Sequence, residues 1–180
     1  MLAEELVPNT VSVSLLLKVL QNLLVEEVPV RDMRSIAEAI VNTAPKTQDG
    51  NVLTASVRLA LKRLIIQNIL GNDGELPVIT LDPGLEQLLL KSMQQAQQTG
   101  GADDLGLVLE PSMMEKLQKS LTEAGQRQEM LGKPAVLLVS NGLRPVLAKF
   151  VRLAVERMYV IAYQEVPDNK QITIVATISG

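Results

Sequence analysis

In the stretch VITLDPGLEQLLL (Val78 to Leu90) a β-branched run meets an Asp-Pro pair and then a helical apolar repeat, with almost no loop between them. Asp82 is placed to cap the helix, and Pro83 falls at the first helical position, where its missing N–H costs nothing. A chain written this way folds as strand-then-helix units, and such units bury their strands in a sheet covered by helices. The junction recurs downstream. LDPGLEQLLLKS and LEPSMMEKLQKS share leucine, an acid, proline, a gap, a large apolar residue and a closing Lys-Ser, and a second short apolar run, Leu105 to Leu109, leads into the later copy. Two copies without a third do not make a repeat array.

A third strand, AVLLVS (Ala135 to Ser140), runs into a helix with Ser140 as its cap. Leu143, Val146, Leu147, Phe150, Val151 and Ala154 face inward along that helix, which is expected to end near Arg157. YVIAYQEV and QITIVATI flank PDNK (Pro167 to Lys170), a hairpin signature. Between the two repeated junctions, QQAQQTGGADD (Gln94 to Asp104) is polar and glycine-bearing and reads as a mobile loop.

The first third is helical by its periodicity. Val13, Leu16, Leu17, Leu20 and Leu24 form one stripe, widened by Leu15 and Leu23, with Ser12 or Ser14 as cap. Pro29 ends that helix, because the residue before a proline is pushed out of the helical region. Met33, Ile36, Ala37, Ile40 and Val41 repeat in a second helix, with Arg31, Arg34, Ser35 and Glu38 on the other side. After a turn that offers Asp49 or Asn51 as cap, a third helix points Leu53, Val57, Ala60, Leu61 and Leu64 inward and Arg58, Lys62 and Gln67 outward. The fold expected is therefore α+β: an all-helical subdomain over 1–75, then an α/β subdomain over 76–180 with a small mixed sheet in βα, βα, βα, ββ order and a C-terminal hairpin.

Composition narrows the chemistry. The 180 residues include no cysteine and no histidine, which removes thiolate nucleophiles, thiolate zinc sites, and the commonest general base and metal ligand. No G-x-S-x-G turn or phosphate-cradling glycine loop is present. Asp103 and Asp104, a possible carboxylate dyad, sit in a polar stretch that reads as a solvated turn, Glu26 and Glu27 read as a helix end followed by a loop, and Asp82 and Glu110 read as helix caps. Met113 and Met114 read as core filler. The residues thus offer no catalytic, cofactor or metal site and no small-molecule substrate. A net charge of −3 and one Phe, two Tyr and no Trp remove the basic excess and stacking platform of a nucleic-acid binder. The most apolar stretch, Val11 to Val25, is interrupted by Lys18, Gln21 and Asn22 and falls short of the roughly 20 residues that span a bilayer. The N-terminus lacks the basic region and cleavage site of a secretory signal.

One cluster stands apart. In VPVRDMRSIAEAI (Val28 to Ile40), Arg31, Asp32 and Arg34 crowd into a helix start. Asp32 caps the helix from Met33, but cations at a helix N-terminus oppose its dipole by a few tenths of a kcal/mol, so Arg31 and Arg34 call for a partner or an intrachain salt bridge. Arg34 and Glu38 stand at i,i+4.

EELVPNTVSVSLLLKVLQNLLVEEVPVRDMRSI, LTASVRLALKRLI, VITLDPGLEQLLL, RQEMLGKPAVLLVSNGLRPVLAKFV and DNKQITIVATI together resemble the C-terminal cytoplasmic region of the export-gate proteins of the type III secretion export-apparatus family, over nearly the whole chain. LQNLLVEEVPVRDMR and LLVSNGLRP are the specific parts and favour the flagellar branch over the virulence injectisome branch. The resemblance implies the third and fourth cytoplasmic subdomains of a longer protein at the cytoplasmic face of the bacterial inner membrane. It implies a non-enzymatic part of a nine-membered ring that receives export chaperones with their cargo and components of the export ATPase complex, and it places Arg31, Asp32 and Arg34 in or beside a subunit boundary. A generic scaffold domain without an export role is the alternative from a different class.

Overall fold

The computed structural model describes residues 12–71, 74–99, 110–155 and 157–179. The chain divides into two compact units, Met1–Asn72 with Gln164–Pro167, and Asp73–Tyr163 with Asp168–Gly180.

The first unit is helical. Helix α1 (Val13–Val25) starts at Ser12, whose hydroxyl accepts from the Leu15 N–H at 3.1 Å. It ends in a Schellman turn: the Val28 N–H reaches the Leu23 carbonyl at 2.9 Å, the Glu27 N–H reaches that of Leu24 at 3.0 Å, and Glu27 takes φ 61°. The stripe expected on α1 is not the face it buries. Val19 and Leu23 are fully buried, whereas Val13, Leu17 and Leu24 are exposed by 58%, 51% and 56%. A helix apolar around most of its circumference has no polarity contrast from which periodicity could choose an inner face.

Helices α2 (Met33–Thr43), α3 (Gly50–Ala60) and α4 (Lys62–Leu70) follow. Of the stripe expected on α2, Ile36, Ala37 and Ile40 are buried, while Met33 is 45% exposed. Asp49 is the cap of α3, accepting from the Asn51 N–H at 2.9 Å. The single third helix expected from the sequence is two, because the backbone turns at Leu61, which ends α3 and opens α4. Helix α3 is the centre of the unit and packs against α1, α2 and α4. Hydroxyls stitch these contacts: Asn22 Nδ2 donates to Thr54 Oγ1 at 3.0 Å, and Thr43 and Ser56 share a hydrogen bond of 2.6 Å.

The second unit runs β1 (Glu75–Leu81), α5 (Pro83–Thr99), α6 (Pro111–Met130), β2 (Ala135–Val139), α7 (Arg144–Ala154), β3 (Met158–Ala162), a 3₁₀ turn (Tyr163–Glu165) and β4 (Gln171–Ile178). The strands lie in the order β3-β2-β1-β4. All three pairings are parallel. The sheet is therefore not mixed, and there is no C-terminal hairpin. The chain leaving β3 enters the 3₁₀ turn and joins the helical unit at Gln164–Pro167 before β4 begins, so it cannot reverse onto β3 and instead takes the far edge beside β1.

Asp82 caps α5 as expected, its carboxylate accepting from the Gly84 N–H at 3.0 Å. Glu110 holds the matching place on α6 without a side-chain hydrogen bond. Ser140 does not cap α7 with its hydroxyl. Its carbonyl accepts from the Leu143 and Arg144 N–H groups at 3.1 Å each, through a turn that delays the helix to Arg144, and its Oγ is buried without a partner. Helix α7 stops at Ala154, and Gln94–Thr99, expected in a loop, continues α5. The strand expected at Leu105 to Leu109, the remainder of the expected loop, and Asp103 and Asp104 lie outside the described residues.

Ile79 and Leu81 of β1, Leu137 and Val139 of β2, and Val160 of β3 form one core with Leu85 and Leu89 of α5, Leu117 and Leu121 of α6, and Leu147, Phe150 and Val151 of α7. The steps β1 to β2 and β2 to β3 proceed in one direction, and right-handed crossovers then lay all three helices on one face. Val78, Val136, Leu138 and Ile161 on the alternate face are buried as well, which is why these strands read as unbroken apolar runs.

The ends of α1 and α6 make a matched pair for test. Gly132 closes α6 in the same Schellman geometry at φ 70°, with nothing within 4 Å of a Cβ built there. Gly132→Ala is expected to lower unfolding free energy by about 1 kcal/mol, and Glu27→Gly to raise it by about 0.5–1 kcal/mol, as read from urea midpoints.

Candidate functional site

Arg58 lies in the last turn of α3, where a cation complements the helix dipole. Expected on the solvated side, it is instead 2% exposed and one of the largest fully buried side chains. Its Nε donates to Glu165 Oε2 at 2.7 Å and its Nη2 to Glu165 Oε1 at 3.0 Å, a two-pronged pair. Glu26 Oε1 stands 3.9 Å from Nη1. Burial works hardest against the charge on Arg58, but the hydrogen bonds and charge of Glu165, with the charge of Glu26, outweigh it and raise the pKa above that of an ordinary arginine. Such an arrangement holds chain segments together and has no reactive group to offer. The signal for it was present: Thr54 and Arg58 lie at i,i+4 on the buried side of α3 with Leu53 and Val57, and Glu165 follows closely on the apolar run Val160–Tyr163.

The structure puts Arg31, Asp32 and Arg34 at the surface. They do not converge. Asp32 accepts from the Ser35 N–H at 3.1 Å and from its hydroxyl at 2.7 Å. The hydroxyl bond, then the backbone bond, with a smaller contribution from the charge of Arg34, hold the Asp32 pKa below 3.8. Arg34 pairs with Glu38 at 3.3 Å while its side chain stays 83% exposed. Arg31 has no ion pair among the described residues. Beside them Leu24, Val25 and Met33 are exposed by 56%, 48% and 45%, so cations and bare apolar surface share the stretch from 24 to 34. Among the described residues no group of three or more acids is placed to hold a metal ion, and no helix is long and apolar enough to cross a membrane.

A family model described as the FHIPEP family matches residues 1–171. The chain belongs to the FHIPEP family. The flagellar biosynthesis protein FlhA of Salmonella typhimurium is 46% identical over 179 residues, covering 99% of this chain and 24% of the relative. The chain thus spans about a quarter of the length of that relative. The CdsV protein of Chlamydia pneumoniae, solved in complex with CdsO, superposes with a TM-score of 0.83 at 25% identity, over 98% of this chain and 50% of that one. The nonameric EscV cytosolic domain from a type III secretion system shares the fold, with a TM-score of 0.79 at 24% identity, over 98% of this chain and 50% of that one. The resemblance carried by LQNLLVEEVPVRDMR and LLVSNGLRP is therefore borne out.

Two expectations follow. Arg58→Met removes both prongs that neutralise the buried Glu165 carboxylate and is expected to cost about 3–5 kcal/mol in chemical denaturation, most of which Arg58→Met with Glu165→Leu recovers. For Asp32 the folded pKa is depressed, so its contribution is present above the ordinary value of 3.8 and is lost as pH falls below it. The Ser35 amide resonance is expected to titrate below pH 3.8, and to lose that titration in Asp32→Asn.

Proposed function

We propose that this chain is a non-enzymatic docking and ring-forming part of a flagellar protein-export gate at the cytoplasmic face of the bacterial inner membrane. In that role it meets export chaperones carrying cargo and components of the export ATPase complex, within a ring that is nine-membered in the full-length protein. The observation that carries this reading is the 46% identity with a flagellar biosynthesis protein across 99% of the chain. Identity to the solved secretion-system domains is 25% and 24%, which favours the flagellar branch over the injectisome branch. The complex of CdsV with CdsO and the nonameric state of the EscV domain supply the precedents for a docked partner and for a ring.

The surface chemistry agrees. Arg31 lacks an ion pair among the described residues and stands in the same short stretch as exposed Leu24, Val25 and Met33. Apolar surface rimmed by charge is how protein interaction sites present themselves. Arg31, Asp32 and Arg34 are accordingly assigned to a subunit boundary, Asp32 as the cap that fixes the helix start and the two arginines as its contacts.

The test is replacement. The matching quarter of the Salmonella relative is exchanged for this chain in cells lacking that protein, and swimming in soft agar is measured. Restored swimming is the expected result; a full-length, membrane-located chimera that leaves cells non-motile overturns the export role. Within a functional chimera, Arg31→Glu with Arg34→Glu is expected to deplete assembled rings of the cytoplasmic part in native mass spectra, and undiminished rings would remove these residues from the boundary.

A further inference from the structure

Burial does little to hold β4. Of its residues only Ile178 is buried, Ile174 is 62% exposed, and β1 is its one partner in the sheet, with α6 packed against it. The β1–β4 register shifts between Val78 and Ile79, leaving Val175 as an extra residue in the ladder. The opposite edge is better secured, since Val160, Ile161 and Ala162 of β3 are buried and Arg144 Nη1 donates to the Val160 carbonyl at 3.3 Å. Beyond its ladder with β1 and the Thr80–Thr177 and Thr173–Glu75 side-chain bonds, β4 has an anchor. Only Asp168, Asn169 and Lys170 separate it from the segment Gln164–Pro167, which belongs to the helical unit and holds Glu165 against Arg58.

We propose that the Arg58–Glu165 pair is a latch that keeps the start of β4 in register on β1, and that β4 is a strap that leaves the sheet when the latch opens. A two-pronged buried ion pair suits this role. Displacing Glu165 removes both short hydrogen bonds from a guanidinium that is 2% exposed, so partly opened states are disfavoured and the segment is either seated or released. Release lengthens the free tether ahead of β4 to the whole connection from Tyr163 to Lys170, and a longer tether defines a strand's register less sharply.

Hydrogen exchange read by mass spectrometry on the full chain tests the latch. In Glu165→Gln, peptides covering Gln171–Ile178 are expected to exchange about tenfold faster, while β2 and β3 keep their protection, because local opening and global unfolding expose different sets of amides. Faster exchange in all strands together, or only in α3, overturns the proposal. Arg58→Met with Glu165→Leu is the second arm: apolar packing restores stability but not the directed bonds, so β4 is expected to remain fast-exchanging at wild-type melting temperature. Recovery of β4 protection along with stability would reduce the pair to packing and sink the latch. This arm decides the matter alone should Glu165→Gln fail to fold.

Discussion

A guanidinium with almost no access to water stays charged only where carboxylate oxygens replace its hydration, and Arg58 meets that condition by drawing Glu165 in from a distant part of the chain. Much of the architecture follows from this contact. The chain leaving β3 is diverted into the helical unit at Gln164–Pro167, and it returns beside β1. A parallel β4 at the far edge, in place of a hairpin at the near one, is the outcome. Replacing a buried pair by apolar residues is often neutral for stability, so the use of such a pair lies in its specificity. Both prongs are satisfied only by a carboxylate held in plane with the guanidinium, a directional demand that apolar packing does not make.

The sequence showed most of what local physics controls. Ser12, Asp32, Asp49 and Asp82 cap the helices they were expected to cap, and Leu147, Phe150 and Val151 of α7 are buried where its repeat put them, joined by Arg144 and Ala148, which the repeat did not mark. What it did not show depends on distant partners. The Arg58 assignment failed because a cation on a helix is ordinarily solvated, and its partner lies 107 residues away. The hairpin failed for the same reason: PDNK and its flanking β-branched runs are a sound local signal, overridden by a tertiary anchor within one of those runs. At α1 the difficulty was excess, with leucine on too many sides for a period to mark the inner face. The candidate site was legible as residues, since Arg31, Asp32 and Arg34 drew notice through the dipole argument, but its apolar companions were not. Leu24 had been placed in the core.

That misplacement carries functional weight. Val13, Leu17, Leu24 and Val25 are all at least 48% exposed on one short helix, in a unit whose α3 already packs against three neighbours. The helix has its own core contacts through Val19 and Leu23, so the outward leucines are not needed for folding. Single exposed apolar residues are ordinary, whereas contiguous exposed apolar patches are the general mark of interaction surfaces.

The two edges of the sheet deepen the contrast between parts built to stay and parts built to meet something. Strand edges invite pairing, and folded proteins blunt them with charge, bulges or cover. At β3 the cover is internal: Arg144 is 3% exposed and its guanidinium bonds to the Val160 carbonyl. At β4 the sequence QITIVATI has no charge and no proline, and the blunting rests on the irregularity at Val175. A protein that seals one edge with a buried arginine and leaves the other to a bulge and a tether has made that second edge the more easily remodelled. Glu165, one half of the buried ion pair, lies in the segment that leads directly into this strand, so the proposed latch would act where the sheet edge has least cover of its own.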